Sequence, residues 1–96
     1  MERRHFLVTY DISDDKRRNA VFQACYDFGN HVQYSVFLCE LDARELVRLR
    51  GRLSSSIHNR EDQILILDLG KAIHPLDSIV QCIGRGMTVP ARALVV

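Results

Sequence analysis

Strand-like and helix-like segments alternate along the 96-residue chain, and this alternation restricts its fold more than any other feature. A strand is predicted at His5–Ile12, which consists largely of β-branched, aromatic and aliphatic residues. A helix is predicted at Asp15–Phe28, because its apolar residues recur at helical spacing. Gly29 and Asn30 predict the end of that helix.

A second strand-like segment covers His31–Leu41. It is either one bent strand or two strands with a break near Tyr34 and Ser35, and the sequence leaves both open. A second helix is predicted after Asp42, with Glu45 as its partner in a capping box.

The last part of the chain predicts two further strands. One covers Asp62–Leu69 and is expected to stop at Gly70, and the other covers Ser78–Ile83. The order β-α-β(β)-α-β with an extra strand predicts an α/β (α+β) two-layer sandwich of ferredoxin-like type. We expect one domain over residues 1–96, in which residues 78–96 form a C-terminal strand and tail that contact a dimer partner.

The expectation of a partner comes from the sheet faces. Two helices cover only one face, yet residues 33–39 and 63–69 are apolar on nearly both faces. A homodimer that stacks sheet on sheet is the simplest solution. The extra strand or the apolar tail would pair with the partner's sheet edge.

Composition narrows the class of protein. No apolar run reaches membrane-spanning length and nothing resembles a signal peptide, so we expect a cytoplasmic protein with no membrane contact. Cys25, Cys39 and Cys82 form neither a CxxC pair nor a zinc pattern, which favours buried reduced thiols. The net charge of +1 requires that any nucleic-acid site be a local cluster of basic residues.

Asp11 is the candidate metal ligand, since it lies where the first strand ends. Alternation places Leu7, Thr9 and Asp11 on the face that a partner would cover, so a two-fold axis brings two Asp11 carboxylates together. A shared cation relieves their repulsion, and Mg²⁺ suits a site with few carboxylates because it keeps several waters. The alternative is that Asp11 merely closes a turn.

Basic residues form two groups that either contact nucleic acid or are solvated helix faces. One lies at the start of the first helix, and the other is a stripe at four-residue steps on the second helix: Lys16, Arg17 and Arg18, and Arg44, Arg48 and Arg52. His31 either faces the Asp11 site and assists proton transfer or is a strand-edge histidine. Ser35 is expected to hydrogen-bond phosphate or water.

Two motifs carry a resemblance to a known family. Val8–Arg18 reads VTYDIxDDKRR and Gly29–Phe37 reads GxxVQYSVF. Their joint presence resembles the CRISPR-associated protein two family, the small partner of the integrase in spacer acquisition. The resemblance covers about the first two thirds of the chain.

The resemblance implies a fold and a site. It implies a ferredoxin-like homodimer whose C-terminal strand joins the partner's sheet, and one metal-binding Asp11 from each protomer, with Mg or Mn as cofactor. It implies that Tyr10, Ser35 and Phe37 are catalytic-site residues and that Arg18 lies nearby.

The resemblance also implies two kinds of activity. Members are described as metal-dependent endonucleases on single-stranded RNA or double-stranded DNA, and as non-catalytic bridges that hold DNA for the integrase. The chain departs from the family at Ala20, where some members carry arginine, and at His31, where some carry arginine or lysine. Fewer basic groups at the site put nuclease strength in question more than the fold.

Two other functions fit the same fold. One is a toxin-type ribonuclease, which needs no integrase. The other is a non-catalytic regulatory dimer that binds a small ligand at its interface. The loop at Ser13, Asp14 and Asp15 contains no glycine, which argues against a ligand-cradling loop.

Overall fold

The computed structural model describes residues 2–87. In chain order the elements are β1 (Arg4–Asp11), α1 (Asp15–Phe28), β2 (Asn30–Gln33), β3 (Val36–Leu41), α2 (Ala43–Ser56), β4 (Gln63–Lys71) and a short 3₁₀ helix (Leu76–Ile79). The strands form one antiparallel sheet in the order β2-β3-β1-β4. This order and the two helices confirm the predicted ferredoxin-like sandwich.

The core lies between the two helices and one face of the sheet. Alternate residues of β1 and β3 point into it and meet the apolar stripes of both helices. The largest fully buried side chains are Val8, Val21, Cys25, Phe37, Cys39, Leu41 and Leu49. The alternation predicted for β1 is confirmed, because Phe6, Val8 and Tyr10 are buried whereas Asp11 is exposed.

The two-strand alternative for His31–Leu41 is the one that the structure adopts. The break lies at Tyr34 and Ser35, where Tyr34 has a positive φ of 41°. The capping box of α2 is also confirmed: Asp42 accepts from the Glu45 N–H, and the Glu45 carboxylate accepts from the Asp42 N–H.

The predicted stop of β4 at Gly70 is wrong, because the strand continues to Lys71. Phe6 pairs with Asp68 and His5 pairs with Gly70, so Leu69 is an extra residue in β4. This bulge needs an unusual backbone, and Gly70 provides it with a φ of 100°.

The predicted start of a fifth strand at Ser78 is also wrong. Ser78 and Ile79 belong to the 3₁₀ helix, in which the Ser78 N–H and hydroxyl both bond to the Pro75 carbonyl. Residues 80–87 form no strand within the described part of the chain. The tail from residue 88 onward lies outside the described residues.

The sheet face opposite the helices is largely apolar, and we call it the open face. Its β4 residues Leu65, Leu67 and Leu69 remain 45–47% exposed. Leu67 is paired with Leu7 of β1, which in turn pairs with Leu38 of β3, so aliphatic side chains run across the sheet. At the end of β1 remote from Asp11, His5 is buried on this face, 3.6 Å from the Glu40 carboxylate.

In the described part of the chain, no helix is long and apolar enough to cross a membrane.

Candidate metal site and nucleic-acid interface

Asp11 is the last residue of β1 and its side chain is exposed. It lies opposite Gln63, the first residue of β4. Among residues 2–87 no hydrogen bond or ion pair occupies its carboxylate, although many other acids there are paired with arginine. Asp11 is therefore open to an external ligand.

The turn between β2 and β3 lies beside this strand end. The Tyr10 N–H donates to the Ser35 carbonyl over 3.3 Å, one residue beyond the regular pairing of Thr9 with Val36. Ser35 is half-buried and Tyr34 is exposed. The sheet thus brings Asp11, Ser35 and Tyr34 to the same end.

Tyr10 and Phe37 lie beneath this strand end rather than at the surface, and their predicted place among the catalytic-site residues stays a prediction. Both are buried on the core face, with stacked rings whose centroids are 6.4 Å apart. Burial raises the pKa of the Tyr10 phenol above its ordinary value. Their contribution to the site is to pack beneath the strand that carries Asp11.

His31 has a structural contact that the sequence did not predict. Its Nε2 lies 2.6 Å from the Tyr34 carbonyl, so this nitrogen donates a hydrogen to the turn. Its ring contacts Phe22 and Phe37, with centroids 5.1 Å and 4.8 Å away. The predicted role of His31 in proton transfer or nucleic-acid contact stays a prediction, and in this structure its Nε2 is bonded to the turn.

Arg17 and Arg18 are likewise bound within the chain. Arg17 donates to Asp62 over 2.7 Å and also contacts Glu61. Arg18 donates to the Ile12 and Ser13 carbonyls and pairs with Asp15. In this structure both arginines hold the start of α1, and their predicted nucleic-acid contacts stay a prediction.

Lys16 differs from its two neighbours because it is exposed and forms no ion pair with any residue from 2 to 87. Its charge is therefore available to a phosphate, and its predicted contact with nucleic acid stays a prediction.

The arginines of the stripe on α2 also differ in whether they are paired within the chain. Arg44 and Arg48 are exposed and have no ion-pair partner in the part of the chain that the structure describes. Arg52 is paired with Asp27 of α1 over 2.7 Å and lies above the Phe28 ring. Arg44 and Arg48 are thus the cations most available to a phosphate.

The donor set around Asp11 limits what can bind there. Within residues 2–87 no group of three acidic, histidine or cysteine side chains is arranged to hold a metal. A single exposed carboxylate fits a largely hydrated Mg²⁺ that takes one or two protein oxygens, and a second carboxylate requires a second copy of the chain. Asp11 therefore fits half of a shared site.

Two residues with a clear place in this region do not stand out in the sequence. Asp62 is a fully buried carboxylate that holds Arg17, and Tyr34 is an exposed aromatic residue at the turn. The sequence signals for Tyr34 are its position at the possible strand break and its place in the VQYSVF motif, and Asp62 has none beyond its place at the start of a strand.

The fold and the site define a class: a ferredoxin-like sandwich with an open apolar sheet face and a free carboxylate at the end of its first strand. Residues 4–73 match the family model of the CRISPR associated protein Cas2. The chain belongs to this family, which confirms the resemblance seen in its motifs.

Individual relatives agree with this assignment. The chain is 36% identical over 92 residues to a CRISPR-associated endoribonuclease Cas2 of Rhodospirillum rubrum, covering 95% of this chain and 89% of the relative. It is 39% identical over 85 residues to one of Thermodesulfovibrio yellowstonii, covering 88% of each. The crystal structure of Streptococcus pyogenes Cas2 superimposes with a TM-score of 0.70 at 34% identity, covering 83% of this chain and 99% of that one.

Proposed function

We propose that this chain acts as a homodimer in CRISPR spacer acquisition, where it binds duplex DNA and bridges integrase subunits. We further propose that it is an endonuclease that cleaves phosphodiester bonds, RNA or DNA, with Mg or Mn held between two Asp11 carboxylates. The observation that carries the proposal is the exposed carboxylate of Asp11, which has no partner among residues 2–87, at the margin of an apolar sheet face. A cytoplasmic location belongs to the same proposal.

The open face supports the dimer. Leu65, Leu67 and Leu69 form an exposed aliphatic row that a second sheet would cover. Stacking about a two-fold axis duplicates every residue of the face, including Asp11 at its end. Residues 78–96 would then contact the partner at its sheet edge.

The chemistry follows from the groups at the strand end. Bound Mg²⁺ or Mn²⁺ supplies a nucleophilic water and neutralises phosphate charge. The Asp11 carboxylate would hold that ion at the end of β1. The Ser35 hydroxyl lies on the adjoining turn, where it would donate to a phosphate oxygen or a water. The names of the relatives from R. rubrum and T. yellowstonii, both endoribonucleases, support cleavage of RNA.

The basic residues support the DNA-bridging role. Lys16, Arg44 and Arg48 are exposed cations, and a dimer doubles them. Contacts from such residues to phosphates hold DNA without reading its sequence. This fits a protein that must accept many different spacers.

The test of the catalytic assignment is Asp11→Asn, which keeps the shape of the side chain and removes its charge. We expect cleavage to fall by at least about 100-fold, as when a group that stabilises transition-state charge is lost. The dimer mass and the affinity for duplex DNA should stay at wild-type values. Asp77→Asn, the same change at an exposed acid on the 3₁₀ helix, should cleave normally.

Cleavage by Asp11→Asn at the wild-type rate would remove the nuclease from the proposal. Duplex binding and integrase capture by the wild-type dimer test the bridging role separately. A nuclease that binds no integrase would instead be the toxin-type ribonuclease.

A further inference from the structure

Tyr34 combines high exposure with an unfavourable backbone. Its side chain is 88% exposed, although tyrosine is usually at least half-buried in a folded domain. Its φ of 41° is the only positive φ of a non-glycine residue in the part of the chain described, residues 2–87. Glycine or asparagine would adopt this conformation at lower cost, so packing and backbone geometry do not explain an aromatic ring here.

The turn that carries Tyr34 is held in place. His31 Nε2 donates to the Tyr34 carbonyl over 2.6 Å, and the His31 ring is packed against Phe22 and Phe37. The Ser35 carbonyl, one residue further on, accepts from the Tyr10 N–H. The backbone of Tyr34 is thus anchored on both sides while its ring stays in solvent.

The anchors also fix where the ring is. Ser35 is bonded to Tyr10, and Tyr10 precedes Asp11, so the exposed ring lies at the end of the sheet that carries the free carboxylate. An aromatic platform beside a phosphodiester-cleaving site is suited to a nucleobase, because every base presents a flat face to stack.

We propose that Tyr34 is a stacking residue for an unpaired base of single-stranded nucleic acid whose backbone lies at Asp11. The inference rests on the proposed nuclease function and deepens it by assigning a residue that contacts a nucleobase. In a duplex the base faces are covered by neighbouring pairs, whereas unpaired bases can splay out onto an aromatic ring. The Tyr34 ring would therefore stack on a base of a single strand, RNA or DNA, and not on a base within a closed duplex.

The first test removes the ring without disturbing the turn. Tyr34→Asn suits the left-handed backbone and has no aromatic face, and Tyr34→Phe keeps the face. We expect Tyr34→Asn to weaken binding of a labelled single-stranded oligonucleotide of about 10 nucleotides by about 5- to 150-fold, the loss of one base stack. Tyr34→Phe should stay within about twofold of wild type, and both variants should bind closed duplex DNA as wild type does.

The second test reports the stack directly. The chain contains no tryptophan, so Tyr34→Trp introduces a single indole fluorophore at this turn. A single-stranded oligonucleotide should quench it at the concentrations at which anisotropy shows binding. An abasic oligonucleotide of equal length and charge, or a duplex closed by hairpins, should bind without comparable quenching. Ile73→Trp, 75% exposed just beyond the other end of β4, should not respond.

The outcomes distinguish a failure of the Tyr34 stacking role from a failure of the nuclease proposal. If single strands bind by anisotropy but the indole of Tyr34→Trp is not quenched, or if Tyr34→Asn binds as tightly as wild type, the stacking role is wrong and the nuclease proposal stands. If the abasic strand or the closed duplex quenches as strongly as the intact strand, the selectivity for unpaired bases is wrong. If no single strand binds at low salt, the stacking role is wrong, and cleavage and binding of duplex DNA test the proposed function separately.

Discussion

Arg17 and Asp62 form the shortest ion pair to a buried carboxylate among the described residues, with Arg17 Nε 2.7 Å from Asp62 Oδ2. The Asp62 side chain is fully buried and also accepts from the His58 N–H. The pair joins the first turn of α1 to the residue that precedes β4, 45 positions along the chain. It therefore holds together the two loops nearest the Asp11 end of the sheet.

Replacing Arg17 tests whether it is structural or binds nucleic acid. Arg17→Gln leaves the buried Asp62 without its cation, so we expect the melting temperature to fall by roughly 5 °C. Affinity for DNA should stay within about twofold of wild type, because the Arg17 guanidinium is not free to contact phosphate. The matched control Lys16→Gln should show the opposite pattern, with an unchanged melting temperature and weaker DNA binding.

The pH dependence of the same pair has a defined sign. Arg17, followed by the His58 N–H, holds the pKa of Asp62 below its ordinary value of 3.8. The stabilisation is thus complete above pH 3.8 and is lost as pH falls through the lower folded-state pKa. The difference in melting temperature between wild type and Arg17→Gln should be constant above about pH 5 and shrink below pH 3.8. A difference that grows on acidification would contradict the assignment.

The arginines of the α2 stripe should contribute unequally to DNA binding. Arg48→Gln is expected to lower the slope of log affinity against log salt by about 0.9 for each phosphate that Arg48 neutralises in the wild-type complex. Arg52→Gln should change the slope less, because the Arg52 guanidinium is already paired with Asp27. Titrations at several salt concentrations measure both slopes. An equal decrease for the two variants would refute the distinction between a free Arg48 and a paired Arg52.

The open face should form the dimer interface. Leu67→Asp places a charge in the centre of the aliphatic row, and we expect it to give a monomer by light scattering where wild type gives twice the chain mass. Val47→Asp, at a residue 70% exposed on α2, is the control and should remain dimeric. A dimeric Leu67→Asp protein would place the interface elsewhere.

The cysteines should react unequally, because the prediction of three buried thiols holds for only two. Cys25 and Cys39 are buried, whereas Cys82 is exposed. Burial raises the pKa of the Cys25 thiol to about 12, so it stays protonated and unreactive under mildly alkaline conditions. A thiol reagent at about pH 8, near the ordinary thiol pKa, should modify one cysteine per folded chain and all three in denaturant. Rapid modification of two or more would be inconsistent with this core.

Local chemistry was enough to predict the ferredoxin-like order of elements, the capping box at Asp42 and the burial of alternate residues in β1. Each depends on residues that are neighbours in the chain, so periodicity and capping reveal it. The family also followed from sequence, because the motifs around Asp11 and Ser35 are continuous.

The tertiary structure decided which polar groups are free. Arg17 and Lys16 look alike in sequence, but only Arg17 meets Asp62, a residue far along the chain. In the same way His31 is used by the turn, and Tyr34 is left exposed. A side chain's availability depends on what the fold brings against it, and contacts between distant segments leave no local pattern in the sequence.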